Sequence, residues 1–192
     1  MKLNNHYFLL RHGQTIYQTK KKGLLYPFPE KPAVKLTKEG EKQIEKLAGK
    51  LKNEKIDLFF SSDFFRTRQT AKIISQKIGV KKINFEKRLR DLNAGIFQGG
   101  TTENYRNFFL SKKQRFSKRP PGGENWNDVK KRLLALLKEI EKKYQKKNIL
   151  IISHADPLWL IAGLLKGFKK EEEFLQIRYT NLYPSVGQFI KI

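Results

Sequence analysis

The 192-residue chain has no cysteine. Disulfide frameworks, thiolate metal sites and cysteine nucleophiles are excluded at once. Acidic residues are scarce: 18 Asp and Glu face 41 Lys and Arg, a formal net charge of +23. Long apolar runs are missing too. The longest, Leu158 to Leu165, falls far short of the roughly 20 residues that span a bilayer. In the opening MKLNNHYFLLRHG, Arg11 and His12 break the apolar run and no small-residue cleavage site follows. Neither a membrane nor a targeting segment is therefore expected, and the expected location is cytoplasmic.

Apolar clusters recur along the whole chain and Phe alone contributes 14 residues, which argues against disorder despite the charge. The length fits one domain spanning 1–192, large enough to bury a core without staples. Lysine occurs in almost every segment, often as KK or KKK, the pattern of solvated helix faces. A basic stripe interleaved with aromatics, the footprint of a nucleic-acid surface, is not evident. Nucleic acid is not an expected partner, although so positive a field attracts phosphate esters.

Strand and helix patterns alternate. His6–Leu10 reads as a first strand, and Thr37 as the N-cap of a helix to about Leu51, with Ile44, Leu47, Ala48 and Leu51 on one face. Asp57–Phe60 reads as a strand. A helix follows from about Phe64 to Ile78, with Phe64, Ala71, Ile74 and Ile78 on one face and Gly79 at its end. Ile83–Phe85 is a short strand. Residues 95–125 read as an inserted loop or short-helix excursion that closes with the PPGGE turn. Val129 to Tyr144 then forms a long amphipathic helix, and Ile149–Ile152 reads as a strand buried on both faces. Asp156 caps a further helix, with Pro157 at its first position, and Gly187–Ile192 reads as an edge strand. The alternation predicts an α/β three-layer sandwich, a mostly parallel sheet with helices on both faces.

In such a sheet, ligands bind beyond the carboxyl ends of the strands. Arg11 and His12 follow the first strand, Arg66 lies just past the second, and His154 follows the ILII strand, so all four converge on one crevice. His6 lies within a strand and reads as a packing or surface residue. Arginine presents a planar fork of donors to phosphate oxygens, and a nearby imidazole can act as nucleophile, acid or base. The set suits phosphoryl chemistry. Two histidines with Asp91 or Glu124 could in principle hold zinc, but no pair has helical spacing and the arginines would repel a cation; no metal is expected.

LLRHGQT at 9–15 resembles the signature of the histidine phosphatase superfamily, the group that contains cofactor-dependent phosphoglycerate mutase (branch 1). LTKEGEKQ at 36–43, SSDFFRTRQTA at 61–71, RLRDLNAGIFQG at 88–99, PGGENWNDVKKR at 121–132 and ILIISHADPL at 149–158 are similar to its other blocks, in the same order. The resemblance implies a phosphoglycerate mutase-like fold and a phosphohistidine formed at His12. It implies phosphoryl oxygens held by Arg11, Arg66 and a charged His154, with Gly13 and Gln18 also at the phosphate. Asp91 stands where the family has a proton-donating Glu, and Glu124 is the alternative donor. Tyr17 replaces a common Trp, Gln18 an Asn, Gln98 a Glu and Ala155 a Gly. No metal and no cofactor is implied.

The excursion between Gly99 and Pro121 is short compared with the shielding segments of mutases, which favours hydrolysis. The expected activity is that of a phosphoric monoester hydrolase acting on small phosphorylated metabolites. The alternatives are a phosphoglycerate mutase-type transferase and a catalytically idle module that binds phosphate or polyanions. Lys20, Lys21, Lys22, Lys112, Lys113, Arg115, Lys118 and Arg119 lie in the 14–30 loop and the 99–121 excursion, where some would meet a second anionic group of the substrate and the others read as solvated. The chain is expected to be a monomer or homodimer.

Overall fold

The computed structural model describes residues 3–30, 32–177 and 180–192. Four strands form a parallel array: β1 (His6–Arg11), β2 (Leu58–Ser61), β3 (Asn84–Phe85) and β4 (Asn148–Ser153). A fifth, β5 (Phe189–Lys191), pairs antiparallel with β1 at the edge, giving the order β3-β2-β4-β1-β5. The helices are α1 (Lys38–Leu51), α2 (Phe65–Ile78), α3 (Thr102–Asn107), α4 (Trp126–Lys143), α5 (Ala155–Leu165) and α6 (Glu171–Ile177). The architecture is the expected α/β sandwich. The helix α6 was not anticipated. Residues 95–125 hold only the short α3 and isolated helical turns, as an excursion should.

Side-chain alternation along the two central strands builds two cores. Phe8 and Leu10 of β1 join Leu150 and Ile152 of β4 against Ile44, Leu47, Ala48 and Leu51 of α1 and Ala71 and Ile74 of α2. Tyr7 and Leu9 point the other way with Ile149 and Ile151, into Leu133, Leu136, Leu137 and Ile140 of α4 and Leu158 to Ala162 of α5. Strands buried on both faces must be apolar at every buried position, which is why Tyr7–Leu10 and Ile149–Ile152 do not alternate with polar residues. The apolar LWLIAGLL helix is core, not an exposed interface.

Two boundaries differ from expectation. On α2 the buried face carries Arg66, Thr67, Thr70, Ala71 and Ile74. Phe64 stands outside the helix at the cap position, where its ring faces the functional crevice. The helix α5 starts at Ala155 with His154 at its cap, and Asp156 lies within the first turn. The Asp156 side chain does not cap because it is committed elsewhere: it accepts from Trp126 Nε1 at 2.9 Å, Arg115 Nη2 at 3.1 Å and Trp159 Nε1 at 3.2 Å.

The helix after β1 covers one face of the sheet, and the helix after the neighbouring β4 covers the other. The crevice of an open α/β sheet lies at such a switch point. The register pairs Arg11 with Ser153, which sets His12 and His154 side by side at its mouth.

Candidate active site

Each cage residue is placed by backbone physics before any side chain is considered. His12 follows the last residue of β1, and its amide still bonds Ser153 O at 3.2 Å. The next turn packs directly on the start of α1: a Cβ on Gly13 would lie 2.8 Å from Gly40 O and from Ile44 Cγ1, and a Cβ on Gly40 would collide with the Gln14 backbone. Two glycines, one in each segment, are the condition for this approach. His12 Nδ1 lies 2.9 Å from Gly13 O. A carbonyl only accepts, so Nδ1 carries the proton and Nε2 keeps its lone pair.

Arg66 sits in the first turn of α2 and is fully buried. Its guanidinium stacks on the Tyr26 ring at 3.8 Å, pairs through Nη1 with Glu30, and reaches Asp91 Oδ2 from Nη2 at 3.5 Å. His154 caps α5, with Nε2 2.9 Å from Ser62 Oγ and its ring 5.4 Å from that of His12. Neither α2 nor α5 has a side-chain cap, so both present open N–H groups and the positive end of a helix dipole at this rim. Besides Arg66 Nη1, which meets only Glu30, three buried donors here make no hydrogen bond: Arg11 Nε, Arg66 Nε and His154 Nδ1. Buried polar groups are nearly always satisfied, and a cluster of unsatisfied donors marks a place shaped for an acceptor-rich ligand.

Burial and the fields of Arg66 and Arg11 press the His12 pKa well below the ordinary histidine value of 6.5. The imidazole is neutral and nucleophilic at pH 7. His154 is also pressed well below 6.5, by burial and by Arg66, His12 and Arg11. It too is neutral as the cage stands, against the expected charge; a phosphoryl dianion beside it would reverse that pressure. Burial raises the Asp91 carboxyl above its usual range, Arg66 opposes this, and Asp156 adds to it.

Asp91 is held by its backbone. Arg132 donates to the carbonyls of Arg88 and, at 3.2 Å, of Asp91, while Ser153 Oγ bonds Leu89 O at 2.6 Å. Glu124 belongs to this clamp: it accepts from Arg132 at 2.9 and 3.2 Å and from Asn93 N at 3.0 Å. Gln18 lines the cavity, but its amide is engaged within the loop, accepting from Thr15 N at 2.8 Å and donating to Tyr26 Oη at 2.9 Å. The Gly13 amide is likewise occupied, by Thr70 Oγ1 at 3.1 Å. His6 is exposed.

A cavity of about 700 Å³ adjoins the cage, with Tyr17, Tyr26, Phe64 and Tyr105 among its walls. Of the eight basic residues expected there, Lys22 and Arg115 line it. Arg119 pairs with Asp128 and Lys113 with Glu172 on the exposed surface. Sequence reasoning missed Tyr26, Glu30, Ser62 and Arg132. Ser62 and Arg132 lie inside motif blocks already quoted; Tyr26 and Glu30 lie in a loop with no periodic signal.

The profile of the histidine phosphatase superfamily (branch 1) matches residues 7–185. The chain belongs to that superfamily. Among curated relatives of this chain, "Probable phosphoglycerate mutase GpmB" of Escherichia coli O1:K1 is 30% identical over 167 residues, 83% of this chain and 74% of the relative. The protein of the same name from Yersinia enterocolitica is 28% identical over 185 residues, 91% and 81% of the two chains. Among solved structures, YhfR of Bacillus stearothermophilus superposes with a TM-score of 0.78 at 20% identity, over 98% of this chain and 90% of that one. A mycobacterial glucosyl-3-phosphoglycerate phosphatase complexed with VO3 gives 0.75 at 22% identity, over 88% and 86%. These structures share the fold; the histidine phosphatase membership rests on the sequence match. Among the described residues no helix is long and apolar enough to cross a membrane.

Proposed function

We propose that this histidine phosphatase hydrolyses small phosphomonoesters through a phosphohistidine at His12, without a metal. The observation that carries the reading is the fixed His12 tautomer beside three buried, unpartnered donors. His12 Nε2 attacks phosphorus and the bond to the leaving oxygen breaks. Arg11, Arg66 and the His154 Nδ1 side of the cage stabilise the charge spread over the equatorial oxygens. Asp91, whose carboxyl burial lifts above the ordinary carboxylate range, protonates the leaving alkoxide. Water then attacks the phosphohistidine, losing its proton to the Asp91 carboxylate; inorganic phosphate leaves and His12 is restored. Glu124 is assigned to the clamp and not to proton transfer, because Arg132 and Asn93 already hold both of its oxygens.

A mutase reading is favoured by one observation, the names of the curated relatives. The short excursion and the partial exposure of the Asp91 side chain, 27%, favour water as the acceptor. One experiment separates the readings. The protein is assayed with EDTA on p-nitrophenyl phosphate, a panel of phosphorylated metabolites, and 3-phosphoglycerate with 2,3-bisphosphoglycerate present. Phosphate release and an acid-labile phosphate on His12 are expected, both lost in His12→Ala while the fold persists. Isomerisation of phosphoglycerate without net phosphate release would establish the mutase, and wild-type hydrolysis by His12→Ala would overturn both.

A further inference from the structure

We propose that Glu30 is an internal competitor for the phosphoryl seat: its carboxylate neutralises Arg66 in the resting enzyme and leaves when a phosphoryl group arrives. The inference deepens the proposed reading of the cage and rests on it.

Arg66 is fully buried, and a buried guanidinium without a counter-charge is strongly destabilising. The two neighbouring imidazoles can supply no negative charge, and Asp91 Oδ2 stands off at 3.5 Å from Nη2. The carboxylate that meets Arg66 Nη1 is that of Glu30, whose side chain is 8% exposed. Apart from this ion pair, neither Glu30 oxygen accepts a hydrogen bond. Asp63 shows what a permanent partnership looks like: Arg90 grips it with two bonds at 2.7 and 2.6 Å. Glu30 has one cation and sealed oxygens without a hydrogen bond, so the cost of burying its charge is poorly compensated.

The seat also offers more than Glu30 uses. Arg11 Nε, Arg66 Nε and His154 Nδ1 make no hydrogen bond. A phosphoryl group brings three non-bridging oxygens and up to two negative charges, so it can engage those donors and still neutralise Arg66. The exchange keeps the buried cation paired throughout.

The loop is built for a local movement. Leu24 bridges to Thr101, Leu25 N bonds Gly100 O at 2.8 Å, and Tyr26 Oη is fastened to Thr15 and Gln18 at 2.9 Å each. These bonds anchor the chain as far as Tyr26. Phe28, between that anchor and Glu30, is half exposed. Swinging residues 27–30 outward frees the seat and carries Pro27 and Phe28 of the cavity wall with it, while Tyr17, Tyr26, Phe64 and Tyr105 stay in place. After hydrolysis the returning carboxylate competes with product phosphate and speeds its release.

The test compares wild type with Glu30→Gln and Glu30→Asp. Inorganic phosphate binding is measured by calorimetry at fixed ionic strength, and KM on p-nitrophenyl phosphate in steady state. Aspartate keeps the charge but draws the carboxylate back from Arg66 by one methylene, which loosens the ion pair. Displacement of a resident competitor predicts phosphate binding about tenfold tighter in both variants, with a lower KM. Tightening in Glu30→Gln alone would reduce Glu30 to a diffuse field effect and overturn the proposal; unchanged or weaker binding in both would also overturn it. Calorimetry needs no turnover, so it decides the Glu30 question even if His12→Ala retains wild-type hydrolysis and the phosphohistidine reading falls.

Discussion

At the amino-terminal end of β1 the buried carboxylate of Glu141 accepts from Tyr7 Oη at 2.5 Å, Asn5 Nδ2 at 2.8 Å and Asn4 N at 2.6 Å. Asn5 in turn satisfies Tyr144 O and Lys147 N. At the carboxyl end of the same strand, Arg66 is equally buried, yet its Nε, Arg11 Nε, His154 Nδ1 and both Glu30 oxygens go without hydrogen bonds. One strand thus separates a closed network from an open one. A closed polar network stabilises and orients the fold; an open one costs stability and persists where a ligand completes it. The contrast locates function without reference to any motif.

Substitutions at the two rims should therefore act on different observables. The largest expected effect is at the open rim: Arg66→Met should lower kcat/KM on p-nitrophenyl phosphate by about 10³-fold or more. Its melting temperature should hold or rise, since a buried cation gives way to an apolar chain and Glu30 can turn to solvent. A large drop in melting temperature would break the comparison. Next, Asp91→Asn should cost about 10²-fold on alkyl phosphomonoesters and much less on p-nitrophenyl phosphate, whose leaving group needs no proton. Because Asp91 holds its proton above the ordinary carboxylate range, its ionisation sets the alkaline decline of kcat/KM, and that limb should vanish in the variant.

At the closed rim, Glu141→Ala should remove about 2–4 kcal/mol of stability, read by denaturant titration, because Tyr7 and Asn5 lose their acceptor. The ranking of substrates should not change. Arg132→Gln tests the clamp between the rims. It should cost about tenfold on alkyl esters and less on p-nitrophenyl phosphate, as expected if Asp91 is misplaced by a fraction of an ångström. The smallest effect is on stability against pH. His12 and His154 have folded-state pKa values below 6.5. Below pH 6.5 the unfolded chain binds protons that the folded one refuses, so stability should fall as pH falls. Imidazole signals that titrate at or above 6.5 in the folded protein would contradict this.

The motifs at the ends of β1, β2 and β4 made the cage legible, because sheet topology alone carries those ends to one place. Arg11, His12, Arg66 and His154 were placed from the sequence for that reason. Gln18 lines the cavity, but residue type alone does not show that its amide fixes the local turn, accepting from Thr15 N and donating to Tyr26 Oη. Asp156 was misread as a cap because indole and guanidinium donors from α4 and the excursion take its oxygens first.

Composition, periodicity and motif order determined the α/β class, the strands and helices that bury their faces, and the set of residues suited to phosphoryl chemistry, because each of these is a matter of local spacing or of a strand's end. The tertiary structure decided which carboxylate stands beside the cage and which clamps its neighbour, that the imidazoles are neutral, and that Glu30 folds back onto Arg66. Those outcomes depend on burial and on charges brought together from segments far apart in the chain, and no local pattern encodes a desolvation penalty.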